Sequence, residues 1–252
     1  MKVLLLILIL MPSLLIAEVF NLDGVDFYYR IPEKYNSQSR IMILFGGRNW
    51  SGDRALKTYN FDNLADKHSV FLISPSFKDS NYWEPQSWSG KALQKAILQL
   101  EKKFNLKPQK VYLYGYSAGG QCVALFYQWM PQKVVACGIH ACGVYPEKID
   151  FSQAPFLITC GTEDKERFQI SRHFIYRYRE HGGLLLWKYY PNCAHELSKD
   201  ALYLAKVWFD DLLSSKKPIA SGEDDTWKIK KQIDTEFCNP LYSEKMRELW
   251  QK

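Results

Sequence analysis

The sequence predicts an α/β protein: a mainly parallel, twisted sheet with helices on both faces. Three observations predict it. Short, continuous apolar runs recur along the chain, as strands covered on both faces require. Stretches with apolar residues at helical spacing separate them. The 252 residues are 47% hydrophobic, 24% charged and 15% aromatic, with 14 Gly and 11 Pro, which are globular proportions and exclude disordered, collagen-like and low-complexity classes.

The first stretch stands apart. Met1-Lys2 is followed by Val3 to Ala17, apolar except for Pro12 and Ser13, and then by Glu18. A basic start, an apolar run and a small residue before a polar segment read as an export signal over 1–17. The run is shorter than the roughly 20 residues of a spanning helix, and Pro12 interrupts it. The expectation is a secreted or periplasmic protein without stable membrane insertion after processing, with an uncleaved anchor as the alternative.

Residues 18–213 carry the alternation. Val25 to Ile31 alternates loosely and reads as a strand, and Arg40 to Phe45 is an apolar run ending at Gly46-Gly47. Ser69 to Ser74, Val111 to Tyr116, Val134 to Ala141, Phe156 to Cys160 and Leu184 to Tyr190 repeat that character, making seven strands. Ala92, Leu93, Ala96, Ile97, Leu100 and Phe104 share one helical face, as do Ala201, Leu204, Ala205, Trp208 and Leu212. Asn81 to Trp88 is an aromatic loop expected to project from a strand's carboxyl end. Residues 214–252 open with Ser-Ser-Lys-Lys-Pro and contain Ser221-Gly222-Glu223-Asp224-Asp225, a polar linker signature. They read as a tail or strap, not a second domain.

The net charge of +6 is spread out, and the Lys228 to Lys231 run reads as a solvated face without interleaved stacking aromatics, so no nucleic-acid partner is expected. Six Cys in an exported chain permit disulfides, but Cys137 and Cys160 lie inside apolar runs where Cys serves as a small hydrophobe. No close Cys pair with a partner His suggests zinc, and no metal is expected.

The chemistry concentrates at Gly115-Tyr116-Ser117-Ala118-Gly119-Gly120, where a buried strand runs directly into a helix. A sharp strand-to-helix turn strains the serine backbone and needs small neighbours so that the chain can pass. The hydroxyl then stands clear, and the helix amino terminus faces developing negative charge. Serine needs a base and a group to orient that base. Cys160-Gly161-Thr162-Glu163-Asp164 ends the next apolar run but one in a Gly turn and an acid; Asp164 is favoured and Glu163 is its rival. After the following strand, Pro191-Asn192-Cys193-Ala194-His195 supplies the base in the required order. His68 and His181 read as surface groups, His173 as helical, and His140 as a core or pocket-wall residue at a strand end. Of the two oxyanion donors, one is the Ala118 amide; Gly46-Gly47-Arg48 supplies the other, Gly47 being assigned with Arg48 as alternative.

These residues resemble the α/β-hydrolase superfamily and, within it, exported esterases related to feruloyl esterases, acetylxylan esterases and polyhydroxybutyrate depolymerases. The resemblance spans roughly residues 25–213 and rests on the Ser117, Asp164 and His195 segments. Phe45 stands where such families usually have His before the oxyanion glycine, and the tail lies outside the resemblance. The family implies acyl transfer without cofactor: Ser117 attacks, His195 moves the proton, Asp164 orients His195, and Gly47 with Ala118 holds the oxyanion. Only a short segment separates Cys142 from Pro155, so no large lid is expected and the site suits esters on bulky carriers. Trp50, Tyr82, Trp83 and Trp88 fall on loops of that face, with His140 beside them, and are candidates for contacting an acylated plant polysaccharide, or else local packing anchors. A serine peptidase of prolyl-peptidase type, a polyester depolymerase and a non-catalytic binder on the same fold are the alternatives.

Overall fold

A continuous eight-stranded sheet runs through the computed structural model, which describes residues 17–78, 81–147, 154–180, 184–223 and 239–252. The export-signal expectation lies outside the described residues apart from Ala17, as do His181, Cys238 and the Lys228 to Lys231 run.

Strand β1 (Glu18–Leu22) and β2 (Val25–Arg30) form a hairpin about Asp23-Gly24, both at positive φ (52° and 80°). Then come β3 (Arg40–Phe45), α1 (Gly52–Tyr59), α2 (Asp62–His68), β4 (Val70–Pro75) and α3 (Ser89–Phe104). They are followed by β5 (Val111–Tyr116), α4 (Ala118–Trp129), β6 (Val134–His140), β7 (Phe156–Gly161), α5 (Lys165–Glu180), β8 (Leu185–Tyr190) and α6 (Lys199–Leu213). The strand order is β1-β2-β4-β3-β5-β6-β7-β8. The first two strands pair antiparallel, and β4 through β8 are parallel.

The uninterrupted apolar runs become strands sealed on both faces: β4, β5 and β7 are buried along their whole length. The helical face read from α3 is turned inward, with Ala92, Leu93, Ala96 and Leu100 buried, and the helix stops at Asn105 in the left-handed region (φ 52°). Ser51 caps α1 by accepting from the Arg54 amide, and Asn60 (φ 47°) ends it. The parallel strands therefore share one carboxyl edge, where Phe45, Tyr116, His140 and Gly161 end their strands and the connecting loops gather.

Two sequence expectations are corrected, and one left open between two readings is decided. The sheet has eight strands, not seven; β1 is an edge strand with mostly exposed side chains, so no apolar run marks it. His68 is not a free surface group: its side chain is only 12% exposed, and Nε2 lies 2.6 Å from Asp210 on α6, tying α2 to α6. Tyr82 is 5% exposed and packs on Phe77 and Trp83, which makes it a packing anchor.

The tail packs onto the body where it is described. Strand β9 (Ala220–Ser221) pairs antiparallel with β10 (Pro240–Leu241), and α7 (Glu244–Gln251) buries Met246, Leu249 and Trp250. The Ser243 hydroxyl donates to Asp211 of α6 at 2.6 Å while accepting from the Met246 amide, so one residue caps α7 and fastens it. Asn239, fully buried, accepts the Trp187 amide of β8 at 2.7 Å and Arg179 at 2.9 Å, and donates to the Gly222 carbonyl at 3.0 Å. Lys188 of β8 donates to the Trp250 carbonyl. The strap thus meets the outer strand of the sheet at the Trp187 amide and at the Lys188 side chain.

Cys122, Cys137, Cys142, Cys160 and Cys193 are free thiols, the first four buried. Among the described residues no helix is long and apolar enough to cross a membrane.

Candidate active site

The site is assembled at the carboxyl edge from the ends of β3, β5, β7 and β8. Ser117 sits between β5 and α4 at φ 56°, ψ −119°, a conformation that costs a non-glycine residue energy and is held here by its surroundings. Its amide donates to the His140 carbonyl at 2.9 Å, and its carbonyl accepts the Gln121 amide. Side chains flanking the turn have no room: a Cβ on Gly115 would lie 2.2 Å from the Gly119 carbonyl oxygen, and one on Gly119 2.1 Å from that of Phe45. The glycines of the Gly-x-Ser-x-Gly pattern thus let the Ser117 turn lie directly against the end of β3.

Ser117 Oγ lies 2.9 Å from His195 Nε2, and His195 Nδ1 lies 2.6 Å from Asp164 Oδ2. The structure brings these three together and leaves Glu163 outside, exposed, with its amide on the Cys193 carbonyl. Asp164 is 6% exposed and His195 stands in the open. The acid loop and the base loop are in backbone contact at Gly161, whose added Cβ would meet the Cys193 carbonyl oxygen at 2.2 Å.

Ala118 is the first residue of α4, so its amide has no intrahelical acceptor and belongs to the positive end of the helix. Gly47 is buried, with Arg48 exposed beside it, and the Gly47 carbonyl accepts the Trp50 amide at 3.0 Å. The ends of β3 and β5 are joined by Tyr59, whose hydroxyl donates to the Phe45 carbonyl at 2.7 Å and accepts the Tyr116 amide at 3.1 Å. Burial pushes this phenol well above its ordinary range, so it keeps its proton.

The other candidates fall into two groups. Trp50, Trp83 and Trp88 are half-buried on the loops of this face. Trp50 packs against Tyr59 and Tyr116 with the Arg54 guanidinium 4.3 Å above it, Trp83 against Tyr82, and Trp88 edge-on to Phe77. His140 is different: at 1% exposure it lies behind His195, where a substrate would not reach it. The core reading of that residue, not the pocket-wall one, describes its place.

Several participants escaped the sequence reading. Arg167 of α5 donates from Nη1 to Asp164 Oδ1 at 3.0 Å, so the carboxylate spends one oxygen on His195 and the other on a guanidinium. A cation one helical turn beyond the acid was the available signal. Tyr116, the variable residue of the serine motif, stacks on His195 with centroids 5.3 Å apart. Tyr59 lies far away in sequence, and no local pattern points to it. Among the described residues no group of three or more His, Cys, Asp or Glu is arranged to hold a metal ion.

No family model matches the chain. No curated protein matches it either. Solved structures do. A thermostable esterase superposes with a TM-score of 0.57 at 16% identity over 70% of this chain, which spans only 54% of that one. Poly(aspartic acid) hydrolase-1 from Sphingomonas sp. KT-1 gives 0.59 at 18% identity, covering 79% of this chain and 98% of that one. S-formylglutathione hydrolase from Staphylococcus aureus gives 0.58 at 16% identity, covering 79% and 93%. What is shared at these identities is architecture: the chain has the α/β-hydrolase fold.

Proposed function

We propose that the protein is an exported serine hydrolase of carboxylic esters working through an acyl-enzyme. The observation that carries this reading is the relay of Ser117, His195 and Asp164 at 2.9 and 2.6 Å, on a serine held at positive φ at the head of a helix. Ser117 Oγ attacks the ester carbonyl while His195 Nε2 takes its proton. Negative charge develops on the former carbonyl oxygen and is met by the Ala118 amide and that of Gly47. The tetrahedral intermediate collapses, His195 protonates the departing alcohol, and water activated by the same imidazole releases the acid. Asp164 holds His195 with Nδ1 protonated and balances the imidazolium, and Arg167 fixes the carboxylate.

The finer reading is an acylated plant polysaccharide carrying feruloyl or acetyl esters. The exposure of His195 leaves the relay open to a bulky carrier, and Trp50, half-buried and packed on the Tyr116 ring that stacks on His195, lies near it, with Trp83 and Trp88 on the next loop of the same face. The likeness to esterases agrees with ester chemistry, and the apolar leader agrees with export.

The test is a panel of acetyl, butyryl, feruloyl and polyester substrates with peptide amides alongside, run on the wild type and Ser117→Ala. Ester turnover that falls by about 10⁴-fold or more in Ser117→Ala is expected, together with fluorophosphonate labelling of Ser117 in the wild type only. Preference for amides would replace this reading with a peptidase. Absence of both turnover and labelling would leave a non-catalytic binder.

A further inference from the structure

A second histidine lies behind the relay and takes no part in it. His140 ends β6, and its ring is tied at both nitrogens: Nε2 is 2.8 Å from the Glu196 carbonyl oxygen, and Nδ1 is 2.8 Å from Thr159 Oγ1. A carbonyl oxygen only accepts, so Nε2 carries the hydrogen, and a neutral ring then accepts the Thr159 hydroxyl at Nδ1. Burial pushes His140 down to about 4, which keeps the ring neutral near pH 7. The Ser198 amide, 3.4 Å from the same Nε2, is also 3.1 Å from the Glu196 carbonyl, which takes its hydrogen.

A parallel tie sits one residue earlier. The Tyr116 hydroxyl donates to the carbonyl of His195 itself at 3.2 Å. Its ring is stacked against both imidazoles, 5.3 Å from His195 and 5.8 Å from His140, at interplanar angles of 24° and 27°. Two successive carbonyls of the base loop are therefore each held by a side chain rooted in a central strand. The loop needs such ties: Pro191 to Glu196 contains no helix or strand, and all of it but Cys193 is exposed. A displacement of the base by about 1 Å is worth on the order of 100-fold in rate.

We infer that His140, together with Tyr116, is a positioning residue for the catalytic base: the pair clamps the carbonyls of Glu196 and His195 so that Nε2 of His195 stays on Ser117 Oγ. The inference rests on the acyl-transfer reading of Ser117 and His195. It gives His140 a role in the reaction without contact with substrate.

Four full-length chains test it: wild type, His140→Leu, His140→Gln and Tyr116→Phe. Each is read for ester kinetics and for the downfield proton resonance of His195 Nδ1–H facing Asp164. His140→Leu is expected to lose about 100-fold in kcat with KM within about 2-fold, and to lose the resonance. His140→Gln keeps an N–H that can meet the Glu196 carbonyl, and is expected to stay within about 10-fold of wild type and to retain the resonance. Tyr116→Phe should fall about 5-fold in kcat.

Wild-type kcat in His140→Leu overturns the clamp, and so do equal losses in folded Leu and Gln variants. If the Leu variant does not fold, the other two decide: His140→Gln and Tyr116→Phe behaving as above support the clamp, and an unchanged kcat and resonance in Tyr116→Phe overturn it. If the wild type neither turns over esters nor labels at Ser117, the acyl-transfer reading has failed. The resonance then still decides the clamp, since its loss in His140→Leu supports it and its persistence there overturns it.

Discussion

The carboxyl edge of the central strands and the outer edge at β8 are both finished by buried polar side chains meeting backbone groups, yet the ties serve different ends. At the carboxyl edge, Tyr59 reaches the last carbonyl of β3 while Tyr116 and His140 each reach a loop carbonyl, and these segments surround the proposed relay. At the outer edge, Asn239 satisfies the Trp187 amide and the Gly222 carbonyl, and nothing there touches the relay. The first set spends polar groups on geometry and the second on stability. Loss of a tie should therefore appear in kcat in one region and in unfolding free energy in the other.

Apart from loss of Ser117 itself, the largest effect expected is from Gly119→Ala. Its Cβ would stand 2.1 Å from the Phe45 carbonyl oxygen, so β3 and α4 must part and the two proposed oxyanion donors lose their common focus. A loss of about 10²–10³-fold in kcat is expected, measured on the best ester of the panel. Retention of wild-type kcat would break the link between close backbone approach and catalysis.

Acid titration sharpens the comparison. Burial lowers His140 to about 4, below its ordinary 6.5, so between those values the unfolded chain takes up a proton that the folded chain refuses. The associated stability is complete above about pH 6.5 and is lost as pH falls toward 4, amounting to on the order of 3 kcal/mol. Urea unfolding at pH 7 and pH 4.5 should show this slope in the wild type and lack it in His140→Gln. Asp210 responds in a separate range. Burial works against its ionised form, but hydrogen bonds from Lys67 and His68 hold its carboxyl below the ordinary 3.8, so its contribution is kept above that value and lost only at lower pH.

The smallest effect on kcat is expected from Asn239→Ala, which removes the acceptor of the Trp187 amide and the donor to the Gly222 carbonyl. About 2–3 kcal/mol of stability should go, with kcat unchanged within about 2-fold. A fall in kcat at full folding would join the strap to the site and erase the contrast.

The same division explains what could be read from the sequence. The relay was legible because strand, tight turn and helix impose residue types at fixed offsets, so Gly115, Ser117 and Gly119 announce themselves. Asp164 and His195 followed from chain order at the ends of apolar runs. His140 reads equally as a core or a pocket-wall residue because a strand end carries no sign of what folds over it; only the register of β6 beside β5 and β7 puts it beneath the loop of His195. Tyr59 acts across 57 residues to reach Tyr116, a separation that leaves no periodic trace. A polar opening marks 214–252 as a tail or strap, but what it grips is not legible: the grip depends on Asn239, Ser243, Met246, Leu249 and Trp250, too few apolar residues to stand out.

Asn239 also sets an order of events. It follows Trp187, whose amide it accepts, by 52 residues, so while the chain is being made β8 can pair with β7 before that amide has its partner. An unpaired strand edge is a template for a strand from a neighbouring chain. Chains cut short before residue 239 would keep the Trp187 amide without Asn239 for good, so the tie bears on assembly as well as on stability.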